Sequence, residues 1–115
     1  MAAEKNFENR LKKFLEDEGC WFVKFFANAY TKSGIPDLLV CCNGYFVAVE
    51  VKAPNGKPSE LQKRNIKQIN EQDGFGVILY PDQFDDFKKM ISALKVSWIV
   101  TASTICDKIN ERWDK

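Results

Sequence analysis

Residues 36 to 52, PDLLVCCNGYFVAVEVK, constrain the fold more tightly than any other stretch of this chain. Two runs rich in β-branched and aromatic residues flank Asn43-Gly44, the dipeptide that best suits the two positive-φ positions of a type I′ hairpin turn. Pro36 can open the first strand, where its missing N–H is tolerated, and it pushes Ile35 toward extended geometry. A two-residue turn at 43 and 44 pairs Cys42 with Tyr45 and places Asp37 opposite Glu50. Opposed Cβ atoms on such a pair are about 4.5–5.5 Å apart. Lys52, two residues beyond Glu50, shares its face. The rest of that face is Leu39, Cys41, Phe46 and Ala48, and the other is Leu38, Val40, Cys42, Tyr45, Val47, Val49 and Val51. With both faces apolar, the pair is expected to be central in its sheet and covered on both sides.

Two carboxylates facing each other inside such a pair repel, and desolvation adds to the cost. Lys52 offsets part of it. A divalent cation offsets more, because Mg²⁺ takes oxygen ligands, commonly one or two carboxylates plus waters and a substrate phosphate. The alternative is a salt-bridge cluster at the sheet edge, with Asp37 serving the turn after Pro36. Valines on both sides of Glu50 make that a poor place for a solvated pair.

Composition narrows the chemistry. The chain has 115 residues and no histidine, which excludes Ser-His and Cys-His nucleophile arrangements and His-ligated zinc. Four cysteines (Cys20, Cys41, Cys42, Cys106) show no metal-ligand spacing and read as buried, reduced thiols. No apolar run approaches the roughly 20 residues that cross a bilayer, and the charged N-terminal stretch is not expected to act as a secretory leader. A cytoplasmic location and no membrane partner are expected. Net charge is only +1, yet residues 24 to 67 carry seven basic against three acidic side chains, so the segment with the paired acids is the basic one.

Along the chain, Phe7, Leu11, Phe14 and Leu15 mark a helix over 4–18 closed by Gly19. Residues 20–26 (CWFVKFF) read as a strand, and ANAYTKSG as a polar loop. After the hairpin and the APNGKP loop, Ser59-Glu60-Leu61-Gln62 has the capping-box form and opens a helix to about Gln72. Residues 76–80 form a short strand, and a helix from about Asp82 carries Phe84, Phe87, Met90, Ile91 and Leu94. Val96–Val100 reads as a further strand and 103–113 as a last helix. The order αβββαβα, with a C-terminal extension, predicts an α/β (α+β) fold: a mixed central sheet flanked by helices. One domain over 1–115 is expected, its core at about 4–94 and the extension at 95–115.

These residues resemble the PD-(D/E)xK nuclease superfamily, in detail its small VRR-NUC type and related junction resolvases. Pro36-Asp37 reads as the PD and Glu50-Val51-Lys52 as the ExK, while SGIPDLL and VAVEVKAPNGKPSELQKRNIKQINEQDGFGVILY look like VRR-NUC segments. The resemblance covers roughly residues 4 to 94. It implies a restriction-endonuclease-like core and a DNA endonuclease, structure-selective for branched or junction DNA, of the kind met in bacterial or phage DNA processing. It further implies Mg²⁺ or Mn²⁺ held by Asp37, Glu50 and the Val51 backbone carbonyl, with Glu8 of the first helix as an added ligand or else an exposed surface acid. Lys52 would position or deprotonate the attacking water. Gln62 would reach the site, complete the capping box, or do both. Such stand-alone members tend to be homodimers.

Lys32, Lys57, Lys63 and Arg64 would then track the phosphate backbone and Tyr30 stack on an opened base. A solvated helix face and a plain surface tyrosine are the other readings of Lys63, Arg64 and Tyr30. A catalytically silent nuclease-fold module that binds DNA or protein is the rival function; it predicts the loss of one of the acids, and all are present.

Overall fold

The computed structural model describes residues 2–114; Met1 and Lys115, the outermost positions of the expected 1–115 domain, lie outside the described residues. The elements are α1 (Ala2–Asp17), β1 (Trp21–Lys24), β2 (Leu38–Cys42), β3 (Tyr45–Val51), α2 (Glu60–Glu71), β4 (Phe75–Leu79), a 3₁₀ turn (Pro81–Gln83), α3 (Phe84–Lys95) and α4 (Ile99–Asn110). They form a mixed α+β fold around a four-stranded sheet in the order β1-β2-β3-β4. The first three strands are antiparallel neighbours, and β4 runs parallel to β3 after the α2 crossover. This is the mixed, helix-flanked sheet that the sequence implies, consistent with a restriction-endonuclease-like core.

The two faces differ. Leu38, Val40, Val47, Val49, Val51, Val77 and Leu79 meet Phe7, Leu11 and Leu15 of α1, Phe87, Met90, Ile91 and Leu94 of α3, and Ala102, Cys106 and Ile109 of α4 in one large core. On the opposite face α2 contributes a small cluster of Ile66 with Ile78 and Tyr80, flanked by Trp113. The expectation of cover on both sides is corrected here. α2 shields the Ala48 end, whereas Phe46 is 46% exposed and Trp21 of the edge strand 65%. Cys41 also faces solvent and Cys20 is half-buried, unlike the buried Cys42 and Cys106, so the expectation of four buried thiols holds for two of them.

Three helices end in the same way, with a left-handed residue and paired backbone bonds to the last turn. Gly19 (φ 76), Asp73 (φ 65) and Ser97 (φ 59) occupy that position. Ser97 explains why Val96–Val100 is no strand. Ser97 N–H donates to Leu94 O at 3.0 Å and Trp98 N–H to Ala93 O at 2.8 Å, which turns the chain straight into α4. The sheet also offers no place beside β4, because its outer edge is already bonded by two asparagines. Asn70 accepts from Gly76 N–H (2.7 Å) and donates to Gly76 O (3.0 Å). Asn110 accepts from Ile78 N–H (3.2 Å) and donates to Gly76 O (2.9 Å). The C-terminal extension therefore supplies part of the main core and closes the sheet edge, a protection that exposed edges need. Asn110→Ala leaves the Ile78 N–H unpaired and is expected to cost about 1–3 kcal/mol, read as a lower midpoint in denaturant unfolding with an unchanged slope.

Candidate active site

The site lies where the hairpin strands leave the sheet, and the turn sets its geometry. Asn43 (φ 51) and Gly44 (φ 84) both take positive φ, the type I′ signature. The register pairs Cys42 with Tyr45 and Leu38 with Val49, so Asp37 follows opposite Glu50. The turn is also anchored from outside: Asn43 Nδ2 donates to Leu94 O (3.0 Å), Lys95 O (3.3 Å) and Ser97 Oγ (3.2 Å).

The loop before Asp37 is fixed by α2. Asn65 Nδ2 donates to Ser33 O at 3.1 Å. Gly34 has φ +77, and a Cβ there would fall 2.8 Å from the Leu61 backbone carbon and from Asn65 Nδ2. Strain and a backbone clash thus combine. Gly34→Ala is expected to destabilise by about 1–3 kcal/mol, read as a lower melting temperature, and to displace the loop that carries Asp37.

Asp37 Oδ2 accepts the Val51 N–H at 2.9 Å. Glu50 is 3% exposed. Its Oε2 accepts from Gln62 Nε2 at 3.0 Å and lies 3.5 Å from Lys52 Nζ. Gln62 serves two ends at once: its Oε1 accepts the Ser59 N–H (2.9 Å), and Ser59 Oγ accepts the Gln62 N–H (3.2 Å). The capping box thus aims the Gln62 amide at Glu50. The second Glu50 oxygen, Oε1, is buried without any partner, alone among the described side-chain atoms in this respect. Burial, reinforced by the neighbouring Asp37 charge and only partly relieved by Lys52, pushes the Glu50 carboxyl up to about 8.

Glu8 is 4% exposed, not a surface acid. Both its oxygens are taken: Oε1 by Lys24 Nζ at 2.8 Å, Oε2 by Lys12 Nζ at 3.2 Å. Burial alone would raise its pKa, but the two lysines outweigh that and hold it below the ordinary carboxylate value. Lys24 Nζ also lies 3.3 Å from Asp37 Oδ1. Desolvation works against the Lys24 charge, and Glu8 and Asp37 overcome it, so its pKa is raised. Sequence reasoning counted Lys24 only as part of a basic segment. No local pattern marks it: the β1–β2 pairing, in which Lys24 lies against Leu38 and Phe25 N–H donates to Asp37 O at 2.8 Å, brings it beside Asp37.

The structure therefore brings Asp37, Glu50, Lys52 and Gln62 together, with Glu8 joined to Asp37 through Lys24. Among the described residues no group of three or more Asp, Glu, Cys or His side chains is arranged to hold a metal; the paired acids here number two. Tyr30, Lys32 and Lys57 are exposed on the two loops next to the hairpin strands. Lys63 pairs with Glu60 at 3.2 Å. With Arg64 and Lys67 it lines a shallow depression against Trp113 and Asp114, which contains none of the four site residues. No described helix is long and apolar enough to cross a membrane.

The family model for archaeal Holliday junction resolvase (Hjc) matches residues 2–77. No curated protein and no solved structure matches the chain. The matched span is well over half of the sequence, and it contains Glu8, Lys24, Asp37, Glu50, Lys52 and Gln62. The chain belongs to the archaeal Holliday junction resolvase (Hjc) family, a family of endonucleases within the PD-(D/E)xK nuclease superfamily.

Proposed function

We propose that this chain is a Mg²⁺- or Mn²⁺-dependent endonuclease that cuts branched DNA at the Asp37/Glu50/Lys52 site. The observation that carries the reading is the Glu50 Oε1 atom: buried, unpartnered and next to a second carboxylate. That is the state of a ligand that a cation would complete, so the residues present fit a divalent ion. Asp37, Glu50 and the Val51 carbonyl would hold it. When bound, such an ion polarises a phosphoryl oxygen and lowers the pKa of a bound water.

The chain's own residues do the rest. Gln62 fixes Glu50 Oε2 and leaves Oε1 as the ligand atom. Val51 N–H fixes Asp37 Oδ2 and so orients the other oxygen. Lys52, at 13% side-chain exposure, orients the attacking water and offsets charge developing on the phosphate. Tyr30, Lys32 and Lys57, exposed on the neighbouring loops, would meet the strands flanking the cut, and Lys63 and Arg64 would extend that path along α2. The VRR-NUC likeness of residues 33–39 and 47–80 then reflects kinship within the superfamily. We take 1–115 as one domain, acting in the cytoplasm.

The active species we infer is a homodimer. A four-way junction has two-fold symmetry and its resolution takes a pair of related cuts, whereas one chain carries one such site. The open sheet face suits a second copy. Trp21, Val23 and Phe46 leave apolar side chains in solvent, and a groove of about 440 Å³ beside them is lined by Ile35, Pro36, Leu39, Phe46 and Ile69 together with the polar Lys32, Asn65, Gln68 and Gln72. A patch of that kind marks an interaction surface. Phe46→Glu is expected to convert the dimer to monomer in sedimentation equilibrium without lowering the melting temperature of the monomer.

Synthetic four-way junction and matched linear duplex, each with Mn²⁺, Mg²⁺ or chelator, test the function. The expected result is metal-dependent cutting near the branch of the junction. Junction binding with no cutting under any metal would identify a silent module instead.

A further inference from the structure

We infer that Lys24 is a built-in counter-ion of the site: its ammonium takes the place of a second divalent ion, and Glu8 acts by holding Lys24 rather than by binding metal. The inference rests on the metal-dependent reading above and settles how many ions that site takes. Its basis is geometric. Lys24 Nζ bridges Glu8 Oε1 at 2.8 Å and Asp37 Oδ1 at 3.3 Å, linking an acid of α1 to an acid of the hairpin. Glu8 and Asp37 would hold a second divalent ion only by giving up this ammonium.

Glu8 differs from Asp37 in its partners. Its second oxygen is engaged by Lys12 at 3.2 Å, so two ammonium groups already neutralise it, whereas Asp37 meets one ammonium and the neutral Val51 N–H. The Glu50 side differs. Gln62 and Lys52 both address Oε2, and Oε1 is left bare. The site is thus asymmetric, with a cation in place between Asp37 and Glu8 and a vacant ligand atom only at Glu50. Sharing one Asp37 oxygen with Lys24 also keeps that carboxylate oriented before any metal arrives. Lys24 is in this sense a positioning residue, fixed in turn by Glu8.

Calorimetric titration of Mn²⁺ into the full chain, without DNA, gives the test. Wild type is expected to bind one Mn²⁺ per chain. Lys24→Met should bind two, because Asp37 and Glu8 then face each other without a cation. The double variant Glu8→Gln with Lys24→Met should return to one. Without metal, Lys24→Met should melt below wild type and gain more from Mn²⁺ than wild type does. If Lys24→Met is unfolded without metal, recovery of its circular dichroism at two equivalents of Mn²⁺ gives the same answer.

Two ions in wild type, or one ion in Lys24→Met with unchanged affinity, would overturn the counter-ion role and leave the nuclease reading intact. No Mn²⁺ bound by wild type would sink both.

Discussion

Lys52→Ala is expected to slow junction cleavage by about 10²–10³-fold, the usual loss when one preorganised electrostatic group is removed from a reacting centre, while junction affinity stays close to that of wild type. Lys52 Nζ is 3.5 Å from Glu50 Oε2 and its side chain is 13% exposed. A lysine so enclosed contributes little to tracking the DNA backbone, and its charge is directed into the site. Lys57 provides the contrast. It is exposed on the loop after β3, so Lys57→Ala should weaken binding similarly for every DNA and lower the salt slope by about one unit, with the rate at saturating DNA preserved. Single-turnover cleavage and a salt series of binding curves separate the two effects. Wild-type cleavage by Lys52→Ala would move the chemistry away from the hairpin.

The contrast between these two lysines also shows where sequence reasoning carries and where it stops. Asp37, Glu50 and Lys52 could be placed together because the Asn43-Gly44 turn and a period of two are local rules, and counting back from the turn needs no tertiary information. The capping role of Gln62 was legible for the same reason, since the capping box is a four-residue pattern, whereas its reach to Glu50 was implied only by the family resemblance. Lys24 was not. Its meaning comes from Glu8, sixteen residues earlier on a helix, and from Asp37, thirteen residues later; no local period links them.

The open face around Phe46 was misjudged because apolar composition shows that a surface needs cover without showing whether its own chain supplies it. Val96–Val100 failed on a different ground. A short apolar run fits a strand or a helix start equally well, and the left-handed Ser97 that decides it has no clear sequence mark. Asn110 reads as an ordinary helix-surface residue until the bare edge of β4 is seen beside it.

Glu50→Gln is expected to stabilise the metal-free protein at neutral and alkaline pH while abolishing Mn²⁺ binding. The native Glu50 carboxyl titrates at about 8 against an ordinary 4.5. The folded state therefore holds this proton more tightly than the unfolded chain does. That contribution to stability is fully present below the ordinary value and is lost as pH rises through about 8, with a slope of up to about 1.4 kcal/mol per pH unit in between. Other carboxylates titrate at the low end of this window, so the difference between wild type and Glu50→Gln isolates the site. The two proteins should be close in stability near pH 4.5 and diverge toward pH 8, by an amount on the order of a few kcal/mol. Urea midpoints across that range measure it.

Glutamine keeps the side-chain volume and can still meet Gln62, so packing changes little and charge is what differs. Saturating Mn²⁺ should then raise the wild-type midpoint and leave Glu50→Gln unmoved, since only the bound state gains from a ligand. Superimposable pH profiles would mean that Glu50 is solvated in the native state, and the case for a cation at this position would fail with it. A diverging pair of curves would mean that the fold bears a standing electrostatic cost which only a bound ion relieves, the trade of stability for activity that functional sites often show.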